Sequence, residues 1–571
     1  MRATSRGRER RGYALILVMF FTAASLLLLS ASLNWTSNSA LQTHRNVDYQ
    51  KNTAIAETAT EKVISQITRD YLAEGEPEVY HNLPKYRSMV PDKKDGVEMV
   101  GYQFSDGQGG VNKTSVERIT PWGFGDIDTK YKGLRGYFAT YRVVSNARSL
   151  TTQGLSAMQQ DLQLASIPIF QYGMFYASDL EFNPSASITF NGRVHSNGSI
   201  FNQPSRRTIT YQSHVTAAKK ILSERHPDDP VEGDEGYVKF LAEHDEGVKT
   251  LNLPLGTSPT PDALRSIVEI PPKSEKADSP MGQLRYYNKA DLLILVENKA
   301  TTASSGAYNN FASKLPPAVV STFLNTNVTF FNKRENKEVE ALEIDVTKFN
   351  AQLSVLAGYL GRIPRTLYVA DLRSQNPHTQ SGVRLINGRT LPTTGLTVAT
   401  PNPLYVKGHY NAPSNLNSTN TTKAASASLV ADAITILSGS WNDAKSGEEL
   451  WMRRAASTTI NAAMIGGIVA TRDGYYSGGV ENFHRLLEDW SGRTLTFNGA
   501  VVVLFESRIA TAPWGATDEV YNPPTRKLSW DSRFKDEAKL PPATPEVRTV
   551  IRTEWTTVQP AKVQADAKPT R

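Results

Sequence analysis

The first seventy residues carry two hydrophobic patterns in succession. Residues 13–33, YALILVMFFTAASLLLLSASL, contain no charge. As a helix this run spans roughly 31 Å, about the hydrocarbon thickness of a bilayer. Residues 36–72 contain neither Pro nor Gly, and their pattern changes. Ile55, Ala59, Val63, Ile67 and Tyr71 recur at every fourth position, with Ala56 and Ile64 beside them. Lys51, Glu57, Glu61, Lys62 and Arg69 take the other faces. This is one apolar stripe at helical spacing, and it stops before Gly75 and Pro77. The pattern predicts a continuous helix over 13–72, roughly 90 Å long. Its first half is apolar all round and its second half amphipathic.

Beyond the helix the pattern shortens. Residues 73–165 read as a mixed α/β connector, turn-rich at first, with a clear alternating strand at 136–145. Leu155, Leu162 and Leu164 leave 153–165 open between strand and helix. A β-rich head then occupies 166–545, with strong strand signals at 187–201, 290–296, 365–370, 429–437, 458–470 and 495–505. The segments 318–329 and 344–360 look partly helical, and 483–490 reads as a short helix. The charged, Pro-rich stretch 216–285 reads as an insertion, and 546–571 as a tail that is partly disordered.

The fold class is therefore α+β, mainly β: a long N-terminal helix and an irregular β-rich head. Short strands punctuated by Gly and Asn-Gly favour stacked coils like those of a parallel β-helix. An antiparallel β-sandwich is the alternative, because Asn-Gly is equally good evidence for hairpins. Ile188-Thr-Phe-Asn-Gly-Arg-Val and Leu495-Thr-Phe-Asn-Gly-Ala-Val share five residues at the same offsets. If coils stack, Phe190 and Phe497 belong to one core, with the Asn-Gly pairs exposed and turning the chain through positive φ.

Composition alters this picture little. The chain has 571 residues, 39% of them hydrophobic, enough for a substantial core. The net charge of +7 is small at this length and comes largely from Arg2, Arg6, Arg8, Arg10 and Arg11, so it does not point to nucleic acid. Those arginines, kept cytoplasmic by the positive-inside rule, place everything after the apolar run outside the cytoplasm. Cysteine is absent, which excludes disulfides, thiol catalysis and Cys-bound metal. Ser30-Ala31-Ser32 offers a signal-peptidase site and Arg10-Arg11 a twin-arginine signal, but neither explains the amphipathic helix beyond them.

A basic leader, then Arg11-Gly12-Tyr13-Ala14-Leu15-Ile16 and a long apolar helix, resembles a type IV prepilin. The nearest style is that of PilX-type minor pilins and the large tip pseudopilins of type II secretion. The resemblance implies a leader over 1–12, cleavage by a prepilin peptidase between Gly12 and Tyr13, and other pilin-like subunits as partners. It implies a single-pass inner-membrane anchor with the head extracytoplasmic. Leu17 departs from the pattern: major pilins carry Glu at that fifth mature position, and its absence resembles subunits at a filament tip. Gly192-Arg193-Val194-His195-Ser196-Asn197-Gly198, Ser477-Gly478-Gly479-Val480-Glu481-Asn482-Phe483 and Tyr521-Asn522-Pro523-Pro524 also resemble recurrent phrases of large bacterial envelope proteins with a PilX-like N-terminus.

No catalytic constellation emerges, and the chain reads as a non-enzyme without cofactor or metal. The nine His are dispersed, His195 and His214 being the best local pair. There is no phosphate-binding Gly loop and no nucleophile elbow. Asp179 with Glu181, and Glu488 with Asp489, are pairs that glycoside hydrolysis could use. Trp441, Trp490, Trp514 and Trp530 could stack on sugars. Two functions are compatible with this: a pilin-like structural or assembly component of a type IV pilus-like or type II secretion-like system, or an envelope-tethered β-helix that binds or cleaves carbohydrate. Grouped carboxylates in one groove would favour the second.

Overall fold

A computed structural model describes residues 11–127, 131–231, 233–298, 301–304, 315–514 and 519–560. Helix α1 runs unbroken over Arg11–Glu74. It ends where Gly75 adopts φ 95° and returns its N–H to the Tyr71 carbonyl, with Pro77 just beyond. No break occurs near residue 36, so the expected continuous helix is observed. The two halves behave as the pattern predicts. In the first, apolar side chains stand free, Phe20 and Leu28 each 72% exposed. In the second, Ile55, Ala56, Ala59, Val63, Ile64, Ile67 and Tyr71 are buried.

That second half packs on an antiparallel sheet. Strand β4 (Arg135–Ser149) pairs on one side with β1 (Tyr102–Ser105), β2 (Ser115–Arg118) and β3 (Gly123–Asp126), and on the other with β5 (Leu155–Pro168). Ala139, Tyr141 and Val143 of β4 and Leu162 and Leu164 of β5 alternate towards Val63, Ile64, Ile67 and Tyr71 of the helix. The other face of β5 presents Ala165 and Ile167 to the main core. With both faces covered, β5 lacks an apolar–polar alternation, which is why its sequence did not distinguish strand from helix.

The sheet is completed from the far end of the chain. Residues 546–558, placed by sequence in the tail, form the 13-residue strand Glu546–Val558 along β5. Arg552 pairs with Glu61 of α1 at 2.6 Å, and Arg548 donates to the Tyr71 carbonyl at 3.2 Å. The terminal residues 561–571 lie outside the described residues, as do 1–10 of the expected leader.

The head consists of stacked coils with parallel pairing, which decides against the sandwich. Met174–Tyr176, Val194–Ser196, Val215–Ala217 and His244–Asp245 stack in parallel register along one face. Leu180–Phe182, Ile200–Asn202 and Ile221–Leu222 form a second face, and Ile188–Phe190, Thr208–Tyr211 and Tyr237–Phe240 a third. The chain then crosses to the opposite end and builds back: Leu292–Val296, Thr366–Asp371, Leu396–Ala399, Ala427–Ala431, Ala463–Ile468 and finally Val501–Glu506. Val501 registers with Met174, so the last coil docks on the first and one 11-stranded sheet results.

This order corrects two readings. The stretch 216–285 is not wholly an insertion: Val215–Ala217 through His244–Asp245 continue the stack, and only the residues after Asp245 are crossover. The charge there belongs to a terminal coil, whose open edge is protected by polar side chains. Residues 483–490 are not a helix. His484–Leu486 is a strand parallel to Ile434–Leu437, introduced by a short 3-10 turn at Val480–Asn482.

The shared phrase at Phe190 and Phe497 proves informative. Both rings are 3% exposed and sit in the same core. Thr494–Gly499 pairs with Thr525–Trp530, and Asn191 joins that strand to Ile188–Phe190: it accepts from Trp530 N at 2.7 Å and donates to Trp530 O at 3.2 Å. The exposed positive-φ Asn-Gly turn, however, is not found. Neither Gly192 nor Gly499 has positive φ, and Asn498 is buried, donating to Asn461 Oδ1 at 2.8 Å in an asparagine ladder that continues to Asn411. These glycines serve close approach instead: a Cβ on Gly499 would lie 1.9 Å from the Ala462 carbonyl oxygen.

Candidate functional site

Where the last coil meets the first, the chain leaves a cleft of about 760 Å³. Two of the three recurrent phrases converge on it. The first, residues 477–483, makes its floor. Ser477 donates from Oγ to Glu181 Oε1 at 3.1 Å and accepts from Gly479 N at 3.0 Å. Gly478 and Gly479 have φ 78° and 61°; a Cβ on Gly478 would strike the Trp514 ring at 2.5 Å. Here glycine is required both for conformation and for space. The second phrase, from Tyr521, forms the rim: Trp514 Nε1 donates to Tyr521 Oη at 2.9 Å, and Trp514 packs edge-on to Tyr476 at 5.3 Å.

Cations crowd this cleft. Lys333 and Arg334 come from the turn between Leu324–Asn332 and Lys337–Asp345, Arg526 from the last coil and Arg225 from the first run. Arg225 is neutralised by Asp229 at 2.6 Å. Arg334 donates to Asn482 Oδ1 at 2.6 Å and Ala512 O at 3.1 Å, and Arg526 to the Glu481 carbonyl at 3.0 Å. Those partners are neutral, and both guanidinium Nε atoms are buried without a partner. Glu335, which also faces Arg334, is taken up by Arg485 at 2.6 Å and by the N–H groups of Thr511 and Ala512. Burial, with Arg485 adding to it, pushes Arg334 down to about 9. Burial likewise pushes the Glu481 carboxyl up to about 7, Arg526 only partly opposing this.

The other residues singled out by sequence do not converge. His195 is buried between Thr216 Oγ1 at 2.8 Å and Asn197 Oδ1 at 3.0 Å, and desolvation lowers it to about 4. His214 faces Arg193 and Asp245 instead. Among the described residues no three His, Cys, Asp or Glu side chains are grouped as metal ligands. Asp179 accepts from Ser199 N at 2.6 Å, whereas Glu181 lies under the Ser477 turn. Glu488 points inward to Ser438, and Asp489 outward to Ser491 and Asn522, as neighbours along extended chain must. Trp441, Trp490 and Trp530 are buried; of the four candidate tryptophans only Trp514 reaches the cleft. A smaller depression, about 390 Å³, lies beside Trp451, Lys445 and Arg454.

The N-terminal residues form a second candidate region. Tyr13 is 79% exposed at the start of α1, with Gly12 just before it in the same helix. Leu17 is exposed like its neighbours. The helix is long and apolar enough to cross a membrane.

No family model matches this chain, and no curated protein matches it. Among solved structures, the competence-associated pilin ComZ from Thermus thermophilus aligns over 88% of this chain and 97% of that one. Identity is 10% and the TM-score 0.30, a likeness too slight to support any argument here. The reading of this protein therefore rests on its own helix and cleft. Sequence reasoning marked the two phrases but missed Lys333, Arg334 and Arg526. One turn carrying Lys333 and Arg334 and a distant strand carrying Arg526 show no local pattern, and only the middle-outward order of the coils unites them.

Proposed function

We propose that this protein is a membrane-anchored, extracytoplasmic structural or assembly component of a type IV pilus-like or type II secretion-like system, not a catalyst. One observation carries the reading: a single unbroken helix is apolar and exposed in its first half and fixed to the head in its second. The twelve Leu, Ile, Val, Met and Phe side chains between Leu15 and Leu33, at about 1.5–3 kcal/mol each, represent tens of kcal/mol that only lipid or neighbouring helices can recover. A plain anchor needs no rigid continuation into the head. A subunit that transmits position from a membrane or filament to an external domain does. The partners on this reading are the membrane, other pilin-like subunits and, before assembly, a prepilin peptidase acting between Gly12 and Tyr13. Leu17 in place of the usual glutamate fits a tip or initiating position better than bulk filament.

The test is mass spectrometry of the N-terminus of protein recovered from native membranes. The expected mature chain begins at Tyr13, and Gly12→Val leaves it uncut, since a peptidase must approach this backbone closely. A mature chain beginning near Leu33 would mean ordinary signal cleavage and would overturn the reading.

A further inference from the structure

The cleft at the coil junction is not needed by a spine or an anchor. Its charge is unbalanced in a defined way. Arg334 and Arg526 spend their hydrogen bonds on neutral oxygens, and each keeps a buried Nε without a partner. Lys333 adds a third positive charge at the rim. Among the described residues the one carboxylate lining the cleft is Glu481, which faces Arg526, so Lys333, Arg334 and Arg526 outnumber it, and an arriving anion relieves the remaining imbalance. Guanidinium forks suit carboxylate, sulfate or phosphate oxygens. The remaining wall is of a different kind. Trp514 and Tyr521 present ring surface, both only half-buried, while Ser185 and Ser205 offer hydroxyls. Flat aromatic faces beside hydroxyl and amide groups suit a sugar ring, whose C–H face stacks and whose edge hydrogen-bonds. The volume of about 760 Å³ is that of a small-molecule site rather than of a protein interface.

We propose that this cleft binds an acidic saccharide, its anionic group held by Arg334 and Arg526 and a sugar ring laid against Trp514 and Tyr521. An acidic peptide would use the cations but has no use for the ring surface. A neutral glycan would use the rings but leave the guanidinium groups uncompensated. The inference is independent of the anchor reading, because no residue of α1 lines the cleft.

The experiment is isothermal titration of the full chain in detergent with trigalacturonate, maltotriose and triglutamate. Trigalacturonate is expected to bind at least about tenfold more tightly than either of the others, a difference of about 1.4 kcal/mol. Arg526→Gln and Trp514→Ala should each weaken it by about tenfold, whereas Lys445→Ala, in the separate depression, should leave it unchanged. Lys333→Ala, at a partly buried turn residue that is not part of the hydrophobic core, gives a variant that folds and should still weaken binding severalfold. Absence of trigalacturonate binding overturns the proposal. So does equal binding of triglutamate, which would make the cleft a general anion site, and so does binding indifferent to Arg526→Gln and Trp514→Ala.

Discussion

At the scale of single residues, the head stores several ionisable groups in their neutral form. Desolvation pushes Glu488 and Glu481 up to about 7, and holds His195 near 4 and His484 near 3. His484 lies between the Phe483 and Phe497 rings, at 5.2 and 4.4 Å. The signs are opposite. Above about pH 4.5 the folded glutamates keep protons that the unfolded chain has lost, so stability falls as pH rises towards 7. Below about pH 6.5 the unfolded chain gains histidine protons that the folded one refuses, so stability falls as pH drops towards 4. The two trends cancel between them, giving a plateau with losses on either side. Glu488→Gln removes one of the opposing groups. Its Oε atoms accept from Ser438 N at 2.6 Å and Oγ at 2.7 Å, so a constant offset near 1 kcal/mol is expected. Superimposed on it, the variant should gain roughly 2 kcal/mol relative to wild type between pH 5 and pH 8. Urea midpoints at the two pH values measure this. A difference that does not vary with pH would mean that Glu488 is ionised in the fold.

At the scale of elements, legibility followed the period of the pattern. The helix was legible to within a turn because its stripe, Ile55 to Tyr71, repeats over many turns and nothing interrupts it. The coils were legible in kind but not in order. Most strands are short, three to six residues, and buried on their inner face, so each announces a β-strand without naming its neighbour. The strand Glu546–Val558 was missed and β5 left open between strand and helix for related reasons: one lies between a Pro-rich stretch and a Lys-rich end, the other is covered on both faces. The helix–sheet contact supplies the test at this scale. Val63 is fully buried against Ala139, Tyr141 and Leu162 among others. Val63→Asp places a carboxylate there with no partner and should cost about 3 kcal/mol or more. Because α1 is held chiefly through this face, the variant should expose residues 50–74 to limited proteolysis while the coils of the head stay resistant. Resistance of that segment equal to wild type would show that the helix is held by other contacts.

At the scale of the whole molecule, the order of the coils makes its two runs interdependent. The first run begins in the middle of the stack and ends at one edge; the second begins at the other edge and finishes against the start of the first. Their third faces are separate three-stranded sheets, joined where Asn191 next to Ile188–Phe190 bonds both backbone groups of Trp530 at the end of Thr525–Trp530. The cleft lies on this junction, so any ligand bound there contacts both runs at once. Gly192 is one point of close approach between them: a Cβ there would stand 2.6 Å from Trp530 Cβ in the second run and 2.7 Å from Gly173 Cα in the first. Neither is the movable end of a flexible side chain, so Gly192→Val must push the first and last coils apart. Overpacking at such a site costs about 1–3 kcal/mol where the neighbours can shift and more where they cannot. The wild-type head should therefore unfold in one denaturant transition seen alike by tryptophan fluorescence and far-ultraviolet circular dichroism. Gly192→Val should lose about 3 kcal/mol and separate the two probes, because the part of the emission that comes from Trp530, one of eight tryptophans, reports the junction while the ellipticity reports all the strands. Were the variant to unfold in a single transition at the wild-type midpoint, the two runs would not be closed through this contact, and the junction could not be what unites the head.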